Sequence, residues 1–154
     1  MTAKESMSLD DVDKRIIEQL QTDGRRPYTQ IAPVVGLSEA AVRQRVQRLV
    51  DAGVIQIVGV TDPKMLGFGR QAMIGLTVAG DTRRVADALA AMDEVVYVVL
   101  TAGSFDVLIE VVVKDDTELL DLLNNKIRAI DGVRDTQSFM YLRIHKETYT
   151  WGAS

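Results

Sequence analysis

The stretch that decides the fold of the first half of the chain is GLSEAAVRQRVQRLVDAGVI, residues 36–55. Ser38 is of a residue type that caps helix N-termini, and Gly53 stands near the end of the stretch. On a helical wheel, Leu49 and the valines between these two residues form a narrow apolar stripe, as expected for a helix with one buried face. The stretch therefore predicts an amphipathic helix over 38–52.

The outward side of this helix carries arginine and glutamine instead of the alternating glutamate and lysine of a helix built only for solubility. The small residues Ala40 and Ala41 near its start permit close approach to another surface. Arginine and glutamine are also the side chains that recognise guanine and adenine edges in the major groove of DNA. The alternative that this is an ordinary surface helix stays open, because any amphipathic surface helix exposes polar residues.

Two more helices are predicted before this one. Apolar residues at spacings of three and four over 9–20 predict a first helix of about 14 residues. A second, short helix is expected over about 28–35, although Pro33 should make it begin late, near Thr29, or distort it. A helix, a short helix, a glycine turn and a basic helix form the order of a helix-turn-helix, whose second member enters the DNA groove N-terminus first.

Positive charge is concentrated in this region. Over 24–50 the only acidic residue is Glu39, whereas the chain as a whole has a net charge of −4. A single basic patch in an acidic chain indicates one face that meets the phosphate backbone of double-stranded DNA. We predict base contacts from Arg43, Gln44 and Gln47. The predicted phosphate contacts are Arg25, Arg45 and Arg48. The full predicted DNA-binding set is Arg25, Ser38, Ala40, Arg43, Gln44, Arg45, Gln47 and Arg48.

The second half of the sequence alternates strand and helix patterns. After a predicted strand over 54–61, the order of the remaining elements is β-α-β-β-α-β, which is the ferredoxin-like arrangement of an antiparallel sheet with two helices on one face. The predicted strands are 71–79, 95–101, 105–113 and 134–144, and the predicted helices are 82–92 and 115–130. The inward residues expected in the last helix are Leu119, Leu120, Leu123, Ile127 and Ile130.

These patterns together predict an α+β protein with two domains. An N-terminal helix-turn-helix domain, winged-helix-like, is expected over 1–53. A strand-bearing linker is expected over 54–69. A C-terminal ferredoxin-like domain is expected over 70–154.

The composition excludes several classes of protein and site. The 154 residues include no cysteine and one histidine, so disulfides, thiolate metal ligands and cysteine nucleophiles are excluded. No cluster of acid, base and nucleophile suggests an enzyme, and we expect neither a metal nor a cofactor. No apolar run reaches the roughly 18 residues of a membrane span, and the polar N-terminus is not a secretion signal, so we expect a cytoplasmic protein.

Several runs of the sequence resemble the Lrp/AsnC family of transcription regulators, also called feast/famine regulatory proteins. The runs are LDDVDKRIIEQLQTDGR, GLSEAAVRQRVQRLVDAGVI, a connector ending in LGFG, TAGSFD at 101–106 and GVRDTQSFM at 132–140. The resemblance extends from about Leu9 to Tyr149. The chain departs from it at Pro27, where a serine-type helix cap is common, and at Pro33.

The resemblance implies a helix-turn-helix joined by a strand-bearing linker to a ferredoxin-like domain that binds amino acids. It also implies a homodimer that assembles into an octamer or another higher oligomer. In the family the effector pocket lies between dimers and combines the Gly103–Asp106 turn with the last strand of a neighbour. The effector-binding residues implied in this sequence are Leu100, Ala102, Gly103, Ser104, Asp106, Thr136, Ser138 and Met140.

The residue types of this set suit a small polar ligand. Gly103 frees the backbone of the turn and leaves N–H groups facing outward. Asp106 can accept hydrogen bonds from an ammonium group, and Ser104 can bond a carboxylate. In the last strand Thr136, Ser138 and Met140 share one face. Without the resemblance, TAGSFD is better read as a plain hairpin turn with Asp106 as its cap.

The sequence thus predicts a sequence-specific DNA-binding transcriptional regulator, modulated by an amino acid that binds between dimers. An architectural protein that bends or wraps DNA without an effector is the first alternative. A metabolic enzyme or regulatory subunit built on the ferredoxin-like domain is the second, and it predicts indifference to DNA.

Overall fold

The structure is a computed structural model and describes residues 8–148. These residues divide into two compact units, one formed by 8–60 together with 146–148 and the other by Thr61–His145. No helix within 8–148 is long and apolar enough to cross a membrane.

The first unit contains three helices, α1 (Asp11–Thr22), α2 (Tyr28–Val35) and α3 (Glu39–Asp51). Their apolar faces meet in one core, and this arrangement confirms the predicted helix-turn-helix. Complete burial of a branched aliphatic side chain contributes about 1.5–3 kcal/mol, so this core holds the three helices together. The buried core residues are Ile16, Leu20, Ile31, Ala32, Val35, Val42, Val46 and Leu49.

Local interactions fix where the helices begin and end. α1 begins at a capping box, in which the Asp10 carboxylate accepts the Asp13 N–H at 2.7 Å and the Asp13 carboxylate accepts the Asp10 N–H at 3.3 Å. Ser38 caps α3 as predicted, since its Oγ accepts the Ala41 N–H at 3.2 Å. Between α2 and α3, Gly36 has a φ of 73°, in the left-handed region that favours glycine.

Pro33 lies inside α2 without delaying its start. The helix begins at Tyr28, just before the predicted start near Thr29. Proline lacks the N–H that would bond to the Thr29 carbonyl one turn back. Both residues are exposed, so water can bond that carbonyl instead. Pro27 precedes the helix and forms no side-chain cap, which fits the absence of the serine-type residue common at this position.

No strand forms over 54–61 in this single chain, which corrects the prediction for the linker. A β-branched, alternating sequence is not sufficient for a strand, because the N–H and C=O groups of a strand need a neighbouring strand to bond with. Within 8–148 the segment has no such neighbour, and Val58 and Val60 are 70% and 63% exposed. The connector continues with a short 3₁₀ turn, Pro63–Leu66.

The second unit contains four strands and two helices: β1 (Arg70–Val78), α4 (Thr82–Ala90), β2 (Val95–Leu100), β3 (Val107–Val113), α5 (Asp116–Asp121) and β4 (Val133–Met140). The strands form one antiparallel sheet in the order β2-β3-β1-β4. This order and the two intervening helices confirm the predicted ferredoxin-like fold.

One face of this sheet is buried against the helices. β3 alternates strictly between buried and partly exposed residues, as expected for a strand whose side chains point to two different faces. Ile74 at the centre of β1 pairs with Ile109 on β3 and with Ser138 on β4. From α4, Val85 and Leu89 pack into the same core.

The helix after β3 departs from regular α-helical winding. α5 continues through Leu122–Ile127 as a π-helical segment, in which the Arg128 N–H bonds to the Leu123 carbonyl at 3.0 Å. Leu122 is buried, whereas Leu120 is 59% exposed. The prediction that Leu120 points inward is therefore wrong, because it assumed 3.6 residues per turn throughout. The other residues predicted to face inward, Leu119, Leu123, Ile127 and Ile130, do pack in the core.

Gly75 in β1 leaves the space that the Phe105 ring occupies. A Cβ atom at this position would lie 2.6 Å from the Cγ atom of Phe105. We expect Gly75→Ala to lower the free energy of unfolding by about 1–3 kcal/mol, because the ring must move to admit the methyl group. Chemical denaturation measures the change. Gly59→Ala is the control, because no atom lies within 4 Å of the Cβ that it would add. Equal stability of the two variants would contradict the prediction.

Glu94 and Lys126 form an ion pair that ties the start of β2 to the π-helical segment. The Lys126 ammonium lowers the pKa of Glu94 from its ordinary value of 4.5. A carboxylate with a lowered pKa stabilises the folded state above its unfolded pKa, and this contribution is lost as the pH falls through the folded value. We expect the Tm of the Glu94→Gln variant to fall less than that of the wild type between about pH 6 and about pH 3.

The control for this measurement is Asp87→Asn on α4. Asp87 is exposed, and its side chain forms no hydrogen bond or ion pair with the described part of the chain. Its variant should follow the wild-type Tm over the same pH range. A Glu94→Gln curve parallel to the wild-type curve would show that the pair does not contribute to acid sensitivity.

Candidate nucleic-acid interface and effector site

The polar side of α3 faces solvent, as the sequence predicts. Arg43, Gln44, Gln47 and Arg48 are exposed, while Arg45 is half-buried. The reason is the narrow apolar stripe, which buries one face of α3 in the core of the first unit and leaves the opposite face outward. The side chains that we predict to read DNA bases are therefore accessible.

The base-reading candidates are held only by exposed contacts. Arg43 pairs with Glu39 one turn earlier at 2.7 Å, and its guanidinium lies 5.2 Å from the ring centroid of Tyr28. Gln47 donates to Asp51 at 2.8 Å. Exposed pairs of this kind contribute little free energy, so a better partner can displace them.

Three further residues of the predicted DNA-binding set lie in the α1–α2 connection and at the start of α3. Arg25 is exposed in the connection between α1 and α2, where its N–H bonds to the Asp23 carboxylate at 2.9 Å. Ala40 is exposed in the first turn of α3. Ser38 is exposed, but its hydroxyl already accepts a helix N–H as the cap. The DNA contacts of these residues remain predictions.

Arg45 and Arg48 have partners that the sequence analysis did not foresee. Arg45 donates through Nη1 to Asp10 at 2.7 Å and to Asp13 at 2.8 Å. Arg48 donates through Nη2 to both carboxylate oxygens of Asp13, at 2.9 and 2.7 Å. Asp13 is only 1% exposed. The hydrogen bond from Arg45 lowers the pKa of Asp10, and the same contact raises the pKa of the Arg45 guanidinium. The predicted phosphate contacts of these two arginines remain predictions, and this ion-pair network competes with them.

A signal for this network was present in the sequence. Asp13 falls on the apolar stripe of α1, between Val12 and Ile16, where a solvent-exposed residue is not expected. Acidic residues are almost never fully buried unless they are paired. A carboxylate at a core position of α1 thus indicates cationic partners elsewhere in the same unit, and the arginines of α3 supply them.

The turn between β2 and β3 is held by a hydrogen bond to β1 and by another within the turn. The Asp106 carboxylate accepts the Val78 N–H at 2.7 Å, where the register of β1 and β4 shifts. The Thr101 hydroxyl donates to the Phe105 carbonyl at 2.6 Å. Asp106 therefore has a structural partner beside the ligand role that we predict for it. The predicted effector residues exposed in and beside this turn are Leu100, Ala102, Gly103 and Ser104.

The predicted effector residues of β4 lie on one strand face, at the edge of the sheet. Thr136 accepts a hydrogen bond from Arg128 Nε at 3.0 Å. Ser138 and Met140 are exposed on the same face. Arg128 was not singled out from the sequence, since its place beside Thr136 depends on the winding of the preceding helix.

Leu100 lies far from the β4 part of the predicted effector site within one chain. Leu100 of β2 pairs with Val107 of β3, which pairs with Leu76 of β1, which pairs with Thr136 of β4. These three strand spacings place Leu100 and Thr136 about 14 Å apart, at opposite edges of the sheet. Asp106 lies closer to β4, because its N–H bonds to the carbonyl of Leu76, the β1 partner of Thr136, at 2.9 Å.

Family comparisons agree with both units. Residues 9–50 match the model of the AsnC-type helix-turn-helix domain, and residues 71–151 match that of the Lrp/AsnC ligand binding domain. The HTH-type transcriptional regulator FL11 of Pyrococcus furiosus is 38% identical over 142 residues, which cover 91% of this chain and 93% of that protein.

Solved structures of transcriptional regulators share the fold of this chain. AsnC of E. coli superposes with a TM-score of 0.83 at 27% identity, covering 93% of this chain and 98% of that one. A transcriptional regulator of Neisseria meningitidis in complex with L-Met superposes with a TM-score of 0.84 at 27% identity, covering 94% and 97%. These relatives are regulators, which confirms the prediction that the chain is not an enzyme. The chain belongs to the Lrp/AsnC family and is a DNA-binding transcriptional regulator with a ligand-binding domain.

Proposed function

We propose that a dimer of this chain presents two copies of α3 to successive half-sites on one face of DNA. The N-terminus of α3 enters the major groove, where Arg43, Gln44 and Gln47 contact base edges and Arg25 contacts a phosphate. The observation that carries this proposal is the exposure of the polar side of α3. Its base-reading candidates form only weak surface contacts that DNA can displace.

We also propose that an amino acid is the effector. The support is the L-Met complex of a structural relative, together with the polar residue types of the 101–106 turn. Because the family resemblance puts the pocket between dimers, and Leu100 lies at the sheet edge opposite β4, we propose that a complete pocket forms between dimers, in an octamer or another higher oligomer. Ligand binding there shifts the assembly equilibrium, and with it the placement of the DNA-binding units.

The first test concerns base recognition. Gln44→Ala and Gln47→Ala should each relax discrimination at one base position of a duplex that the wild-type protein selects from a random library. The expected loss is about 1–3 kcal/mol, because one good base contact supplies that much. Competition binding with single-base variants of the duplex measures it. Gln30→Ala, which removes an exposed glutamine from α2, is the control and should leave discrimination unchanged at every position. Unaltered discrimination in both α3 variants would remove α3 from the interface.

The second test concerns the effector. A thermal-shift screen of the twenty amino acids should find one that raises the Tm of the wild-type protein, since a ligand at one hundred times its Kd adds about 2.7 kcal/mol. Asp106→Ala should lose this shift, whereas Asp93→Ala, which removes an exposed carboxylate from the α4–β2 connection, should keep it. Because Asp106 also accepts the Val78 N–H, the ligand-induced shift is compared and not the Tm itself.

Two results would count against the effector proposal. Equal shifts in the wild type and Asp106→Ala would show that the pocket is elsewhere. No shift, and no change of DNA affinity, with any of the twenty amino acids would favour the architectural alternative, in which the protein bends or wraps DNA without an effector.

A further inference from the structure

The four charged side chains that join α1 to α3 form a neutral group. Asp10 and Asp13 bring two negative charges, and Arg45 and Arg48 bring two positive charges. The basic patch evident in the sequence is therefore only partly available in the folded protein. Two of its arginines already face carboxylates at distances of 2.7–2.9 Å.

The burial of Asp13 makes this arrangement hard to exchange. Its carboxylate is 1% exposed while both arginines cover it. A phosphate that captured Arg48 Nη2 or Arg45 Nη1 would leave Asp13 with one of its two arginines, and a poorly solvated carboxylate that loses a counter-charge is costly. The phosphate would gain a solvent-exposed contact in return, which is worth far less. The balance favours the intramolecular pairs.

The same contacts fix the rotation of α3 about its own axis. The apolar stripe defines which face of α3 is buried, but it consists of adaptable aliphatic contacts. Arg45 and Arg48 lie one turn apart on one flank of α3, and both reach the same carboxylate near the N-terminus of α1. Two directional, charge-assisted anchors on one flank hold the opposite flank, which carries Arg43 and Gln47, at a defined angle.

We infer that Asp13 is a positioning residue for DNA binding. Its buried carboxylate withholds Arg45 and Arg48 from the phosphate backbone and orients the base-reading side of α3. This inference rests on the proposed function of α3, and it replaces the phosphate role that the sequence predicts for these two arginines. The result is a regulator that gives up non-specific electrostatic affinity in favour of discrimination between sequences.

The salt dependence of binding tests this inference, because each phosphate contact contributes about 0.9 to the slope of log affinity against log salt. Two duplexes of equal length serve as probes, one selected by the wild-type protein from a random library and one with that sequence scrambled. Asp13→Asn keeps the size of the side chain but removes its charge. We expect a steeper slope on the scrambled duplex, by up to about 1.8 for two released arginines. We also expect higher affinity for that duplex and a lower ratio of selected to scrambled affinity.

Asp11→Asn is the matched control. Asp11 lies on α1 two positions before Asp13 and is exposed, and its side chain forms no hydrogen bond or ion pair within the described residues. Its variant changes the net charge by the same amount without releasing an arginine, so its slope should equal that of the wild type. Circular dichroism of each variant, free and at the binding temperature, confirms that the helices are folded.

Arg45→Gln and Arg48→Gln provide a second test, which does not require the Asp13 variant to fold. Each should leave the slope of log affinity against log salt unchanged while lowering the affinity for the selected duplex at every salt concentration. A slope reduced by about 0.9 in either variant would identify a phosphate contact and overturn the inference. Equal weakening of Asp13→Asn on both duplexes with an unchanged slope would do so too, because it would indicate a purely structural role.

Failure of this inference differs from failure of the proposed function. If α3 does not read DNA, Gln44→Ala and Gln47→Ala leave discrimination intact. If only the positioning role is wrong, those two variants still lose discrimination, while the slopes of the arginine variants show where the phosphate contacts are.

Discussion

A single buried carboxylate, that of Asp13, joins α1 to α3 in the DNA-binding unit. Asp13 occupies a core position of α1, where its charge is tolerated only because α3 delivers two guanidiniums to it. Removal of one partner from a buried ion pair typically costs about 3–5 kcal/mol, because the remaining charge is left unpaired. The apolar stripe decides which face of α3 is buried, and the ion pairs add two directional contacts on one flank of that helix.

The ligand-binding unit follows a different rule, in which backbone pairing determines where polar groups lie. The antiparallel register places Leu100 of β2 and the effector candidates of β4 at opposite edges of one sheet. The Asp106 carboxylate bonds the backbone at the shift between β1 and β4, so the end of the turn lies against β1. Phe105 of the turn reaches β4 itself, where its ring centroid lies 6.1 Å from that of Phe139. Backbone and ring contacts within one chain therefore hold the turn on the sheet.

Local patterns determined most of what the sequence could predict. The three N-terminal helices and the β-α-β-β-α-β order follow from periodicity, caps and glycine positions, which act within a few residues. Predictions failed where the outcome depends on groups distant in sequence. The segment over 54–61 has the composition of a strand but lacks a neighbouring strand within residues 8–148. Leu120 was misplaced because the π-helical winding alters which residues face the core.

In the candidate sites, too, the sequence predicted what depends on nearby residues and missed what depends on distant ones. Exposure of Arg43, Gln44 and Gln47 was predictable, because it follows from the wheel of one helix. The ion-pair partner of Arg45 and Arg48 was not predictable in this way, because it is a carboxylate more than thirty positions away. A count of basic residues in a sequence therefore overstates the charge that a folded surface can offer to DNA. Arg43 and Arg48 are both exposed arginines of one helix, yet they differ in availability: the partner of Arg43 is a solvated glutamate, and the partner of Arg48 is buried.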